Sequence, residues 1–265
     1  MYKALTIAGS DSGGGAGIQA DLKTFAALKV YGTSVITSVT AQNTLGVQGA
    51  YDLPAEFVAR QLDAVLSDIG ADAVKTGMLA NAAIVATVAG KIKEYGIKNL
   101  VVDPVMVSKS GHLLLSRDAC TMLQKELLPL ALVVTPNTEE AEALTGLTIK
   151  SERDMVEAAR HLHGYGAAHV VVKGGHLPGE EAVDILYDGQ SVHRFVAPRL
   201  HTTSTHGTGC TFAAAITAFV ARGLAVPEAV SRAKAYLREA MVAGRPVGSG
   251  YNPVHHLAAY YSWGD

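Results

Sequence analysis

Cysteine is scarce in this chain of 265 residues: Cys120 and Cys210 are the only two. They lie far apart in unlike contexts, so no disulfide framework is expected and a reducing compartment is. Charge of one sign is lacking as well. Lys and Arg number 22 against 24 Asp and Glu, a net −2, which offers no general surface for nucleic acid or anionic membrane. Long apolar runs are missing: the longest, from Cys210 to Ala221, carries threonines and falls far short of a membrane span. The opening residues, Met1 to Ala8, hold too short an apolar run for a signal peptide. These absences lead us to expect a soluble cytoplasmic protein. Three motifs are also wanting. No Gly-x-x-x-x-Gly-Lys-Ser/Thr phosphate loop occurs, and Gly13 to Gly17 lacks the Gly-x-Gly-x-x-Gly spacing of a dinucleotide fingerprint. The pairs His161/His163 and His255/His256 are spaced so that their rings diverge, which argues against a histidine metal site.

What is present is material for a large core. Hydrophobic residues make up 49% and charged ones 17%, which excludes a disordered chain, and the length suits one domain spanning residues 1–265. Short apolar, β-branched runs (Ala4 to Ala8, Ser34 to Thr40, Ala73 to Lys75, Leu100 to Asp103, Leu132 to Thr135, His169 to Lys173) alternate with helical patterns. Helices are expected over Ile18–Leu28, from Pro54, over Asn81–Tyr95, Ser116–Leu128, Thr138–Leu144, Ser151–Tyr165 and Pro227–Val242, and over Pro253–Tyr260. Several strands are apolar throughout, as when helices cover both faces of a sheet. Asp188-Gly189 between two strand-like runs predicts an antiparallel hairpin. The fold class is therefore α/β: a mostly parallel central sheet, helices on both faces and an antiparallel edge hairpin.

One stretch carries chemistry in its spacing. Thr203-Ser204-Thr205-His206-Gly207-Thr208-Gly209-Cys210-Thr211 runs straight into the alanine-rich Phe212 to Ile216. A glycine turn feeding a helix directs free amides and the positive end of the helix dipole at one spot, which suits an anion and phosphate above all. Cys210 falls in the first helical turn, where the dipole is expected to favour its thiolate. Other polar residues collect where parallel strands end, the usual ligand site of such sheets: Gly9-Ser10-Asp11, Gln42-Asn43, Lys75 to Met78, Asp103-Pro104, Pro136-Asn137 and Lys173 to His176.

Those segments resemble, in order and over nearly the whole chain, the hydroxymethylpyrimidine kinase/phosphomethylpyrimidine kinase family of thiamin biosynthesis. The matching stretches are Ala8 to Asp21, Thr40 to Thr44, Lys75 to Leu79, Asp103 to Met106, Thr135-Pro136-Asn137 with Glu140, Lys173 to His176, Thr205 to Thr211 and Pro253 to His256. The resemblance implies a ribokinase-like fold and transfer of phosphate from ATP to 4-amino-5-hydroxymethyl-2-methylpyrimidine, then to its monophosphate. It implies that Gln42 bonds the aminopyrimidine edge, with Gly9, Asp21, Met78 and Val105 lining the same pocket. Asn137 and Glu140 would hold the Mg2+ shell, with Asp103 assisting. Lys173 and Thr208 would meet the nucleotide phosphates, and the Gly207, Thr208, Gly209 and Cys210 amides would stabilise the transferring group. Cys210 stands where most ribokinase-like kinases carry an aspartate base, and would orient and deprotonate the hydroxyl. A homodimer is implied, and a potassium ion is left open. Pyridoxine or pyridoxal kinase activity is the alternative, with a non-catalytic binding protein behind it. Lys109 to His112 serves equally as a lid or as a plain surface loop.

Overall fold

The computed structural model describes residues 1–106 and 116–263. The candidate lid at Lys109–His112 lies outside the described residues. Nine strands form the central sheet: β1 (Lys3–Asp11), β2 (Tyr31–Asn43), β3 (Gly46–Asp52), β4 (Ala73–Thr76), β5 (Leu100–Val102), β6 (Val133–Val134), β7 (His169–Lys173), β8 (Glu181–Tyr187) and β9 (Val192–Pro198). Their order is β3-β2-β1-β4-β5-β6-β7-β8-β9. From β2 to β7 every neighbouring pair is parallel, whereas β3 on β2, β8 on β7 and β9 on β8 run antiparallel.

Strand alternation divides the core into two layers. Leu5, Ile7, Val74, Val102, Val134 and Val170 face one layer, filled by α2 (Ala55–Leu66), α3 (Ala82–Glu94) and α6 (Glu152–His163). Ala4, Ala73, Val101, Val133 and Val171 face the other, filled by α1 (Gly17–Ala27), α7 (Thr208–Ala221) and α8 (Val226–Val242). Both faces being covered explains why these strands carry apolar residues on both sides of the sheet. Helix α7 is buried from Thr211 to Ala221 without a break, and its alanines let it lie close against the sheet.

Several of the other helices start where short polar residues cap them. Asn81 accepts from the Ile84 amide, Ser116 from Ala119 and Ser151 from Asp154. The helix expected over Ser116–Leu128 is α4 (Arg117–Met122), continued by a π turn (Leu123–Leu127) and a 3-10 turn (Leu128–Leu130). Between β6 and α6 lies the short α5 (Thr138–Thr145).

Two segments depart from the sequence expectation. Gly46–Asp52, assigned to no element above, is strand β3, zipped onto β2 with Val39 opposite Tyr51. Pro253–Tyr260 is not a helix. There Asn252–Pro253 forms β11, paired parallel with β10 (Ser204–His206), and turns follow. The cause is anchoring: the Tyr251 amide bonds the Thr44 carbonyl, the His255 amide bonds Ala240, and His255 and His256 are both buried. Burial pulls the His256 imidazole down to about 3, so it is neutral beside Thr211, 3.0 Å away in the first turn of α7. The chain end thus braces the start of α7.

Leu62 on α2 is fully buried. Leu62→Ala is expected to lower stability in urea unfolding by about 2–5 kcal/mol. An unchanged midpoint would contradict the packing described.

Candidate active site

Gly207 holds φ +76°, a conformation glycine adopts without strain. A Cβ there would run into the Gly15 carbonyl, so the turn before α7 is packed directly on the loop after β1. Helix α7 makes its first backbone bond from the Thr211 amide to the Gly207 carbonyl. The amides of Thr208, Gly209 and Cys210 are therefore the open donors of the helix start. Helix α1 begins alongside, with its Gly17 amide near enough to the Cys210 sulfur to favour the thiolate slightly. Two helix N-termini converge on one thiol.

The loop between β1 and α1 is held by one carboxylate. Asp11 is buried at 3% exposure. Its Oδ1 accepts the Gly13 amide at 2.8 Å, and its Oδ2 accepts Gly15 at 3.1 Å and Ala16 at 2.8 Å. His206 Nε2 lies 2.9 Å from the same Oδ2. Burial works against ionisation, but the His206 bond and these amides outweigh it and hold Asp11 below the usual carboxylate range. An ionised carboxylate only accepts, so His206 Nε2 carries the proton.

Beneath the cradle lies a second buried pair. Lys75 Nζ meets both oxygens of Asp21, at 2.9 and 2.8 Å, and Thr6 Oγ1 donates to Oδ2 at 2.6 Å. Both side chains are fully buried. Burial alone would push the lysine down, yet the Asp21 charge keeps it above its usual range. Asp21 corrects one expectation: it does not line the pyrimidine pocket, because its carboxylate is enclosed by Lys75 and Thr6. Lys75 takes the place on the cavity wall.

Cys210 corrects another. The helix dipole does not produce a ready thiolate, because burial pushes the thiol up to about 11 despite the opposing charge of Lys75. The thiol is protonated at neutral pH.

The third charged group sits at the ends of β5, β6 and β7. Lys173 Nζ lies 3.0 Å from Asp103 Oδ1 and 3.9 Å from Glu140 Oε2, and Thr135 donates to Asp103 at 3.1 Å. A Cβ on Gly209 would lie 3.4 Å from Lys173 Nζ and 3.8 Å from Asp103 Oδ2, so this cluster abuts the cradle. Asn137 and Glu140 form a reciprocal capping box at the start of α5, with side chain to amide distances of 2.8 and 2.7 Å. That structural role was not foreseen. Glu140 is pushed up to about 7 by burial, against the pull of Lys173.

Among the described residues no group of three or more His, Cys, Asp and Glu side chains could hold a metal ion. The hard oxygens of Asn137, Glu140 and Asp103 fit a cation that brings most of its ligands with it, as phosphate oxygens and water.

Asp11, Lys75, Asp103, Glu140, Lys173, His206 and Cys210 all line one cavity of about 1110 Å³. Gly9, Gln42, Met78 and Val105 are among its lining residues. Gln42 Oε1 accepts from Thr40 at 3.1 Å, which leaves its amide nitrogen for a ligand. The lining also contains residues the motif reading missed, Asp184 and Lys234. They pair at 2.6 Å, and Asp184 also accepts the Gly174 amide at 3.0 Å, which fixes the turn after Lys173. Nothing local in the sequence links positions 184 and 234. Only the fold does.

In a Cys120→Ser background, Cys210 alkylation by iodoacetamide should rise with an apparent pKa near 11. A value at or below that of an ordinary thiol would contradict the burial argument. Lys75→Met, which strands the Asp21 carboxylate, should cost about 3–5 kcal/mol in chemical unfolding. Wild-type stability would refute the buried pair.

A family model described as phosphomethylpyrimidine kinase matches residues 11–255. The hydroxymethylpyrimidine/phosphomethylpyrimidine kinase of Bacillus subtilis is 51% identical over 259 residues, covering 97% of this chain and 96% of that protein. The thiamine biosynthesis bifunctional protein of Geobacter sulfurreducens is 55% identical over 255 residues, covering 96% of this chain. The present chain spans 52% of that relative, about half its length. Among solved structures, the ADP complex of Bacillus subtilis pyridoxal kinase superposes with a TM-score of 0.92 at 44% identity, covering 98% of each chain. The phosphomethylpyrimidine kinase of Clostridium difficile 630 gives 0.81 at 46%, covering 91% of this chain and 99% of that one. With the glycine turn, the Asn137/Glu140 pair and the strand-end cavity all in place, the chain belongs to the phosphomethylpyrimidine kinase family.

Proposed function

We propose that this chain transfers the γ-phosphoryl group of ATP to the hydroxymethyl group of 4-amino-5-hydroxymethyl-2-methylpyrimidine and then to the resulting monophosphate. The observation that carries this reading is one cavity holding both the Gln42 amide and the open amides of Thr208, Gly209 and Cys210. A flat aminopyrimidine suits apolar walls, Met78 and Val105, with one amide at its edge. The hydroxymethyl oxygen would attack the γ-phosphorus as its bond to the ADP oxygen breaks. Charge on the transferring oxygens would meet the cradle amides, where fixed donors act most strongly. Lys173, set by Asp103 and Glu140, would approach the phosphates from the other side.

Mg2+ bound with the nucleotide would neutralise triphosphate charge. Glu140 gives one carboxylate oxygen to its cap bond and would hold the hydrated ion with the other, beside Asn137 and Asp103. Cys210, protonated in the free chain, would orient the hydroxyl rather than deprotonate it. A loose phosphoryl transition state needs little base strength. The exposed pair Val39 and Tyr51 on the β2–β3 ribbon supports a homodimer.

The pyridoxal kinase likeness supports a second reading, phosphorylation of pyridoxal at the same site. Mass spectrometry of products from Mg-ATP with the pyrimidine or with pyridoxal tests both. Monophosphate followed by diphosphate from the pyrimidine is expected, and phosphorylation of pyridoxal alone would overturn the first reading. Cys210→Ala should retain transfer within about tenfold. A loss beyond about a hundredfold, the scale of a general base, would return the base role to the thiol.

A further inference from the structure

The second transfer poses a requirement that the first does not. Its acceptor is a phosphomonoester with a charge of about −1.5 to −2 at neutral pH. That group must lie beside an equally anionic nucleotide, and its own oxygen forms the new bond to the γ-phosphorus as the bond to the ADP oxygen breaks. Amides alone carry no net charge. Lys75 faces both oxygens of Asp21, and Lys173 lies between Asp103 and Glu140.

His206 differs from both. Asp11 takes one ring nitrogen, Nε2, at 2.9 Å, and Nδ1 has no hydrogen bond among the described residues. The Cδ2 and Nε2 edge of the ring lies against Gly15, which leaves the Nδ1 edge on the opposite side. The ring is 12% exposed and lines the cavity. It directly precedes Gly207, so it stands one Cα step, about 3.8 Å, from the turn that opens the amide cradle. Nε2–H is spent on Asp11, so Nδ1 is the ring's remaining polar atom, and an imidazole protonated on both nitrogens donates from both.

We propose that His206, held by Asp11, is the binding site for the acceptor's own phosphate in the second transfer. This rests on the pyrimidine reading above and deepens it. The unphosphorylated pyrimidine brings no anionic group to His206 Nδ1, whereas the monophosphate does. His206 therefore discriminates between the two acceptors.

The test compares wild-type, His206→Asn and Asp11→Asn enzymes on both acceptors, measuring kcat/KM for each transfer and acceptor affinity by calorimetry without nucleotide. The ratio of second-step to first-step kcat/KM should fall at least tenfold in His206→Asn, and the extra affinity conferred by the acceptor phosphate should fall at least fivefold. Asp11→Asn keeps one acceptor oxygen, replaces the other, which takes the bond from Gly13 or those from Gly15 and Ala16, with a donor, and loses the charge behind the imidazole. It should lower the same ratio. Equal losses in both steps, or an unchanged affinity ratio, would overturn the phosphate site while leaving the kinase reading intact. A wild-type enzyme that phosphorylates neither pyrimidine would overturn both.

Discussion

The site depends on the Asp11 carboxylate. At the end of β1 this one group gathers the Gly13, Gly15 and Ala16 amides and the His206 ring. Those bonds bring the Gly15 carbonyl against Gly207. The loop that opens α1 and the turn that opens α7 thereby become one body, although 195 positions separate Asp11 from His206. The convergence of two helix starts on Cys210 follows from that junction. So does the position of the open amides, which a flexible turn could not hold in advance of the reaction.

The remaining charges are arranged to survive burial before any ligand arrives. Lys75 with Asp21, Lys173 with Asp103 and Glu140, and Lys234 with Asp184 each set a cation against a carboxylate at the cavity wall. An uncompensated charge in such places would be costly. The pairs also fix side-chain directions, so the cavity presents its polar groups without reorganisation. The C-terminal segment closes the frame from behind by joining β11 to β10 and placing His256 beside Thr211.

Much of this was legible in the sequence because it is local. The strand His169–Lys173 was read with its observed limits, Asp188-Gly189 marked the hairpin of β8 and β9, and the glycine spacing from Gly207 to Cys210 located the cradle. What escaped depends on distant partners. Strand β3 has two glycines and little β-branching, and it forms because β2 offers an edge. Asp21 and Lys75 lie 54 positions apart, so nothing nearby showed that the carboxylate would be consumed by an ion pair rather than face a ligand. The Cys210 thiol was misjudged for the same reason. A helix start is visible in sequence, but the burial that outweighs its dipole is not.

On the proposed reading, the Gly207 turn, held against Gly15, would supply the stabilising amides for phosphoryl transfer. The most direct measurement is the single-turnover rate of Gly207→Ala, with ADP affinity measured in parallel. A fall of about a hundredfold or more is expected, with ADP binding within about threefold of wild type. Transfer at the wild-type rate would contradict it.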